Sequence, residues 1–225
     1  MKNKKILLIS LFSIFVIIFT FIFLNKQTLD AYFLNKNSLI SKISTGNIKA
    51  SVTELNYKNN QILKPNDEII KDPIVTNTGS IDEYLRAQVY VPIAKLKYVD
   101  SNENIIFPDD EIDLISYEYN LGQGWQRVKD EGFSGMVQDK NENKYRVYTY
   151  KFIENNTEKI VKSGEKINIP VFNKIQTINY LDIENAINLK VIVKAIAVQT
   201  LDGKSADEMW TFYKNQNGSG IGGVE

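Results

Sequence analysis

Asp109, Asp110, Glu111 and Asp113 crowd four acidic side chains into one short stretch. Carboxylates this close could hold Ca²⁺, which accepts oxygen ligands in loose geometry. The stretch has neither the ligand spacing nor the central glycine of an EF-hand loop. A solvated loop is therefore the first reading and a metal site the second. What the chain lacks constrains it further. It has no histidine and no cysteine, which removes the commonest zinc ligands and the usual general base near neutral pH. Ser134 in GFSGM matches a nucleophile elbow on one side only, since Met136 stands where the second glycine belongs. Without histidine no serine triad can be assembled. Tyr145, Tyr148 and Tyr150 with Trp125 could form a sugar-stacking platform, but aromatic residues are also ordinary cross-strand partners, and packing is the preferred reading. From the residues alone no active site is recognisable and no cofactor is expected.

The elements that must carry these side chains are mostly strands. Ile48, Ala50 and Val52 alternate with Lys49, Ser51 and Thr53, the period of a half-buried strand. Leu85, Ala87, Val89 and Val91 face one way, while Tyr84, Arg86, Gln88 and Tyr90 face the other. Tyr145 to Phe152 reads as an aromatic strand. Leu189, Val191, Val193, Ala195 and Ala197 read as the most convincing buried strand face. Turn chemistry separates these runs at LKPND (63–67), NTGS (77–80) and KSGE (162–165). A short helix is expected over 181–187. Ser205, with Asp207 and Glu208 after it, predicts a final helix through Trp210 and Tyr213. Short strands between turn signals, with little helix, point to an all-β chain folded as an antiparallel β-sandwich.

The N-terminal residues raise a separate question. MKNKK is followed by Ile6 to Leu24, nineteen residues without a charge. Such a run nearly spans a bilayer core of about 30 Å. A basic start before an apolar run is also the layout of an export signal. Both readings export everything after Lys26. Ala31 is a small residue at a suitable distance for cleavage, whereas Leu29 fits the small-x-small pattern poorly. From the residues alone, cleavage and retention stay open. Residues 32–225 carry a net charge of −3 and show no basic face of the kind nucleic acid requires.

The ordered landmarks resemble one family. The seam Ala31-Tyr32-Phe33 follows the apolar run, then come LKPND (63–67), VTNTGSIDEYLR (75–86), GW (124–125), VYTYKF (147–152), KSGEK (162–166), VIVKAIAVQTLDG (191–203) and ADEMW (206–210). Together they are similar to the TasA/camelysin family of exported Gram-positive proteins, whose precursors are cut by a dedicated signal peptidase of the SipW type. Where that family often has Pro-Gly, this chain has Pro65-Asn66, and Asn can adopt the positive φ such a turn needs. The resemblance implies cleavage between Ala31 and Tyr32 and a jelly-roll-like sandwich. It also implies a structural role in a biofilm matrix or on the cell surface. Camelysin-type members are classed as metalloendopeptidases, which is the rival expectation, and the residues here supply no ligand set for it.

These readings predict a signal peptide over 1–31, an N-terminal arm over 32–46, a β-sandwich domain over 47–214 with a few short helices, and a flexible tail over 215–225. The expected protein is secreted and not an enzyme. Its expected partners are further copies of itself in a head-to-tail polymer, or a related matrix protein, together with the SipW-type peptidase. The arm is rich in apolar and β-branched residues, and Leu39, Ile40 and Ile43 are expected to dock on an open sheet edge of the next subunit.

Overall fold

A computed structural model describes residues 46–56, 64–181 and 190–222. Ala31, Tyr32, Leu39, Ile40 and Ile43 lie outside the described residues. So do the apolar run and all but the first residue of the helix expected over 181–187. The compact unit that holds the described residues begins at Gly46.

In chain order the strands are β1 (Ala50–Glu54), β2 (Glu68–Ile70), β3 (Pro73–Asn77), β4 (Glu83–Ala94), β5 (Tyr98–Val99), β6 (Ile105–Ile106), β7 (Ile112–Asp113) and β8 (Ile115–Ser116). They continue as β9 (Trp125–Arg127), β10 (Gly135–Gln138), β11 (Lys144–Glu154), β12 (Thr157–Glu158), β13 (Ile160–Val161), β14 (Lys174–Thr177), β15 (Asn179–Tyr180) and β16 (Ile192–Gln199). One helix, α1 (Ala206–Asn217), follows. The chain is all-β, and every pairing among the described strands is antiparallel.

β4 is the spine. β11 pairs with it from Lys151↔Arg86 to Tyr145↔Pro92, and β16 pairs with it from Gln199↔Glu83 to Ile192↔Tyr90. A period of two puts Leu85, Ala87, Val89 and Val91 on one face. There they pack with Val75 of β3, Ile115 of β8, Ile175 of β14, and Tyr150 and Phe152 of β11 in the main core. Strand thus lies upon strand, with β1–β3 and β2–β14–β8 contributing the second layer.

The other face of β4 is covered as well. Tyr84 packs with Ile196, Val198, Met209 and Trp210 beneath α1, while Tyr90 packs with Val147 and half-buried Ile221. All residues from Glu83 to Ile93 are consequently buried, Arg86 and Gln88 among them. On β16 the burial expected for Val193, Ala195 and Ala197 is only partial, and Ile196 and Val198 on the opposite face are the more buried. Helix α1, which lies over that opposite face, makes the difference.

Turn chemistry works locally as expected. Asn66 takes φ 59° in the Pro65-Asn66 turn, and Gly164 takes φ 76° in the later one. Ser205 caps α1, accepting from the Glu208 N–H while the Glu208 side chain accepts from the Ser205 N–H. The segment read as a flexible tail from residue 215 remains helical to Asn217, and residues beyond Gly218 are hydrogen-bonded to the sheet face.

Candidate functional site

The acidic stretch does not converge on a point. Asp109 and Asp110 are exposed in the loop before β7. Glu111 accepts from Lys144 Nζ at 2.5 Å, and its carbonyl accepts from Arg146 Nη2 at 3.1 Å. Asp113 lies on β7, where Arg146 Nη1 reaches Oδ1 at 2.6 Å and Tyr148 Oη donates to Oδ2 at 2.5 Å. Cations from β11 thus occupy the two carboxylates best placed to bind an ion. Among the described residues no group of three acidic side chains could hold a metal.

A tyrosine–carboxylate network continues from this point. Tyr150 Oη donates to Glu118 Oε1 at 2.6 Å, and the hydroxyls of Tyr117 and Tyr150 lie 2.8 Å apart. The Arg127 guanidinium sits 4.2 Å from the centre of the Tyr148 ring. Asp113, Ser116, Tyr117, Glu118 and Tyr148 border a cavity of about 240 Å³. Burial holds the Tyr117, Tyr148 and Tyr150 phenols above their ordinary range, with neighbouring carboxylates adding to the effect. These phenols act as fixed hydrogen-bond donors and not as proton acceptors at neutral pH. Tyr145, Tyr150 and Trp125 are buried, with Trp125 Nε1 donating to the Ile169 carbonyl at 2.9 Å, so the aromatic set packs the core and forms no platform.

The sequence does not single out the polar seam beneath α1 and the C-terminal residues. Arg86 donates twice to Glu158, from Nε at 3.0 Å and from Nη2 at 2.9 Å. Trp210 Nε1 donates to the same carboxylate at 2.7 Å. The Arg86 guanidinium lies 4.8 Å from the centre of the Phe133 ring and 4.4 Å from the Trp210 ring. Two residues along β4, Gln88 and Tyr90 bond to the backbone of Gly220 and Gly222. The signal in the sequence is the pair Arg86 and Gln88 among the apolar residues of β4. Polar side chains on one face of a strand ordinarily read as solvated.

At the first residue of β4 the Glu83 carboxylate is fully buried. Its Oε1 accepts from the Lys49 N–H at 2.8 Å, and its Oε2 is buried with no hydrogen-bond partner among the described residues. Compared with protein-family models, with curated proteins and with solved structures, the chain matches none.

Proposed function

We propose that this chain is a secreted structural protein of an extracellular matrix or cell surface, with a jelly-roll-like sandwich that assembles head-to-tail through its N-terminal arm. The observation that carries this reading is the second edge of β1, which forms no ladder among the described residues although β16 lies close by. That strand pairs only with β3 among the described residues, and it is the first strand after the arm. Unpaired N–H and C=O groups along a strand edge invite a further strand, and an arm supplied by a neighbour satisfies them by strand addition. The arm departs from a fastened point. Thr78 N–H donates to the Lys49 carbonyl, Ser80 N–H to the Asn47 carbonyl, and Asn47 N–H to Ser80 Oγ. Because arm and acceptor edge are different surfaces, the contact propagates and does not close as a dimer.

The likeness of the landmarks to the TasA/camelysin family supports export and cleavage after Ala31 by a SipW-type peptidase, and the apolar, β-branched make-up of the arm makes Leu39, Ile40 and Ile43 the expected docking side chains. The camelysin-type peptidase reading finds no support in the acidic stretch, where Glu111 and Asp113 are engaged by Lys144 and Arg146. The test compares residues 32–225 with residues 46–225 by sedimentation and electron microscopy. Fibres from the longer form alone are expected. Equal assembly by both forms, or a longer form that stays monomeric at high concentration, would sink the arm mechanism.

A further inference from the structure

Helix α1 ends at Gly218, which takes φ 73° with no atom within 4 Å of where a Cβ would stand. The next residues bend at Ser219 and Gly220 and lie against the face of the main sheet, held through their backbone. The Gln88 side chain uses both ends of its amide. Its Nε2 donates to the Gly220 carbonyl at 2.6 Å, and its Oε1 accepts from the Gly222 N–H at 3.0 Å. Tyr90 Oη donates to the Gly222 carbonyl at 2.8 Å, and the Gly220 N–H donates to the Gly132 carbonyl at 2.8 Å. The amide of Gln88 thereby offers the donor and acceptor that a neighbouring strand would offer.

Sterics add selectivity. A Cβ on Gly220 would stand 2.3 Å from the Phe133 ring, far inside contact distance, and one on Gly222 would stand 3.2 Å from Tyr90 Oη. Between them, Ile221 packs against the cluster of Tyr90, Tyr145 and Val147. The slot therefore demands glycine at its first position, favours glycine at its third and takes an apolar residue between them.

We propose that this seam is a receptor slot for a glycine–apolar–glycine segment, filled in cis by residues 220–222 and open to the same segment from a second copy of the chain. Four backbone hydrogen bonds and one apolar contact do not depend on which chain supplies the segment. Gly218, with no described residue outside its own helix end packed against it, provides the pivot. Exchange of identical elements keeps the same contacts, so concentration decides between the closed and exchanged forms.

The test uses residues 46–225, the compact unit that holds every core cluster and lacks the arm. The Gly220→Leu variant vacates the slot, and a Gln88→Leu, Tyr90→Phe double variant removes the receptor while leaving the tail intact. The probe is a fluorescent peptide of residues 217–225, NGSGIGGVE. Binding to Gly220→Leu about tenfold or more tighter than to the wild type is expected, because the cis segment occupies the wild-type slot most of the time. The double variant should not bind it. Mixing the two variants should yield a heterodimer by sedimentation that neither forms alone. Residues 46–225 lack the arm, so arm-driven assembly cannot contribute and the result is readable whether or not the arm mechanism holds. A chain truncated after Gly218 serves as a second vacated slot. A folded vacated chain that ignores the peptide, or failure of both vacated chains to fold, overturns the proposal.

Discussion

Glu158 is the residue on which the seam beneath α1 depends. It receives two hydrogen bonds from Arg86 and one from Trp210, and the two charged side chains are each about 3% exposed. Removing one partner of a buried pair strands the other charge, so Glu158→Ala should lower stability by roughly 3–5 kcal/mol in urea unfolding. A loss below about 1 kcal/mol would mean that Arg86 finds water or another partner. Glu83 supplies a contrasting case. Burial raises its carboxyl above the ordinary glutamate range, against the opposing pull of the Lys49 N–H. With the folded value above the unfolded one, the native state holds more protons in that window, and stability falls as pH rises through it. Glu83→Gln keeps an acceptor for the Lys49 N–H and removes the titration. Thermal melts from acid to neutral pH should therefore show a flatter profile for Glu83→Gln than for the wild type. Parallel profiles would exclude Glu83 as the source.

Helix α1 is the element whose ends are best explained. Its capping box joins Ser205 and Glu208, and the Lys204 ammonium lies 2.7 Å from the same carboxylate. Lys204 first, and then the Ser205 N–H, pull the Glu208 carboxyl down to about 2. A depressed carboxylate stabilises above the ordinary range and loses that contribution as pH falls toward its folded value. Ser205→Ala removes the hydroxyl that accepts from the Glu208 N–H and should cost about 1 kcal/mol in chemical denaturation at neutral pH. An unchanged midpoint would show that packing of Met209 and Trp210 holds the first turn without the cap.

At the scale of the whole molecule, Lys144 and Arg146 of β11 engage Glu111 and Asp113 of the acidic stretch. Zinc sites ordinarily draw on several nitrogen or sulfur ligands, and this chain has neither histidine nor cysteine. Purified residues 32–225 should carry no stoichiometric zinc, and a chelator should leave the melting temperature where it was. A chelator-dependent drop in melting temperature, together with metal found by elemental analysis, would overturn that expectation. Local rules made part of this architecture readable in advance. The period of two on β4, the positive φ at Asn66 and the Ser205 cap each depend on residues a few positions apart. What covers the Arg86 and Gln88 face did not follow from that pattern. Gln88 meets Gly220 and Arg86 meets Glu158 across long stretches of chain, and a strand with polar residues on one side reads the same whether water or a helix lies over it. The acidic stretch was equally ambiguous, because the cations that claim Glu111 and Asp113 come from β11. The sequence by itself determined the alternation, the turns and the helix start, since backbone geometry and adjacent side chains set those energies. Only the tertiary structure decided which polar groups lose their water and which partners replace it.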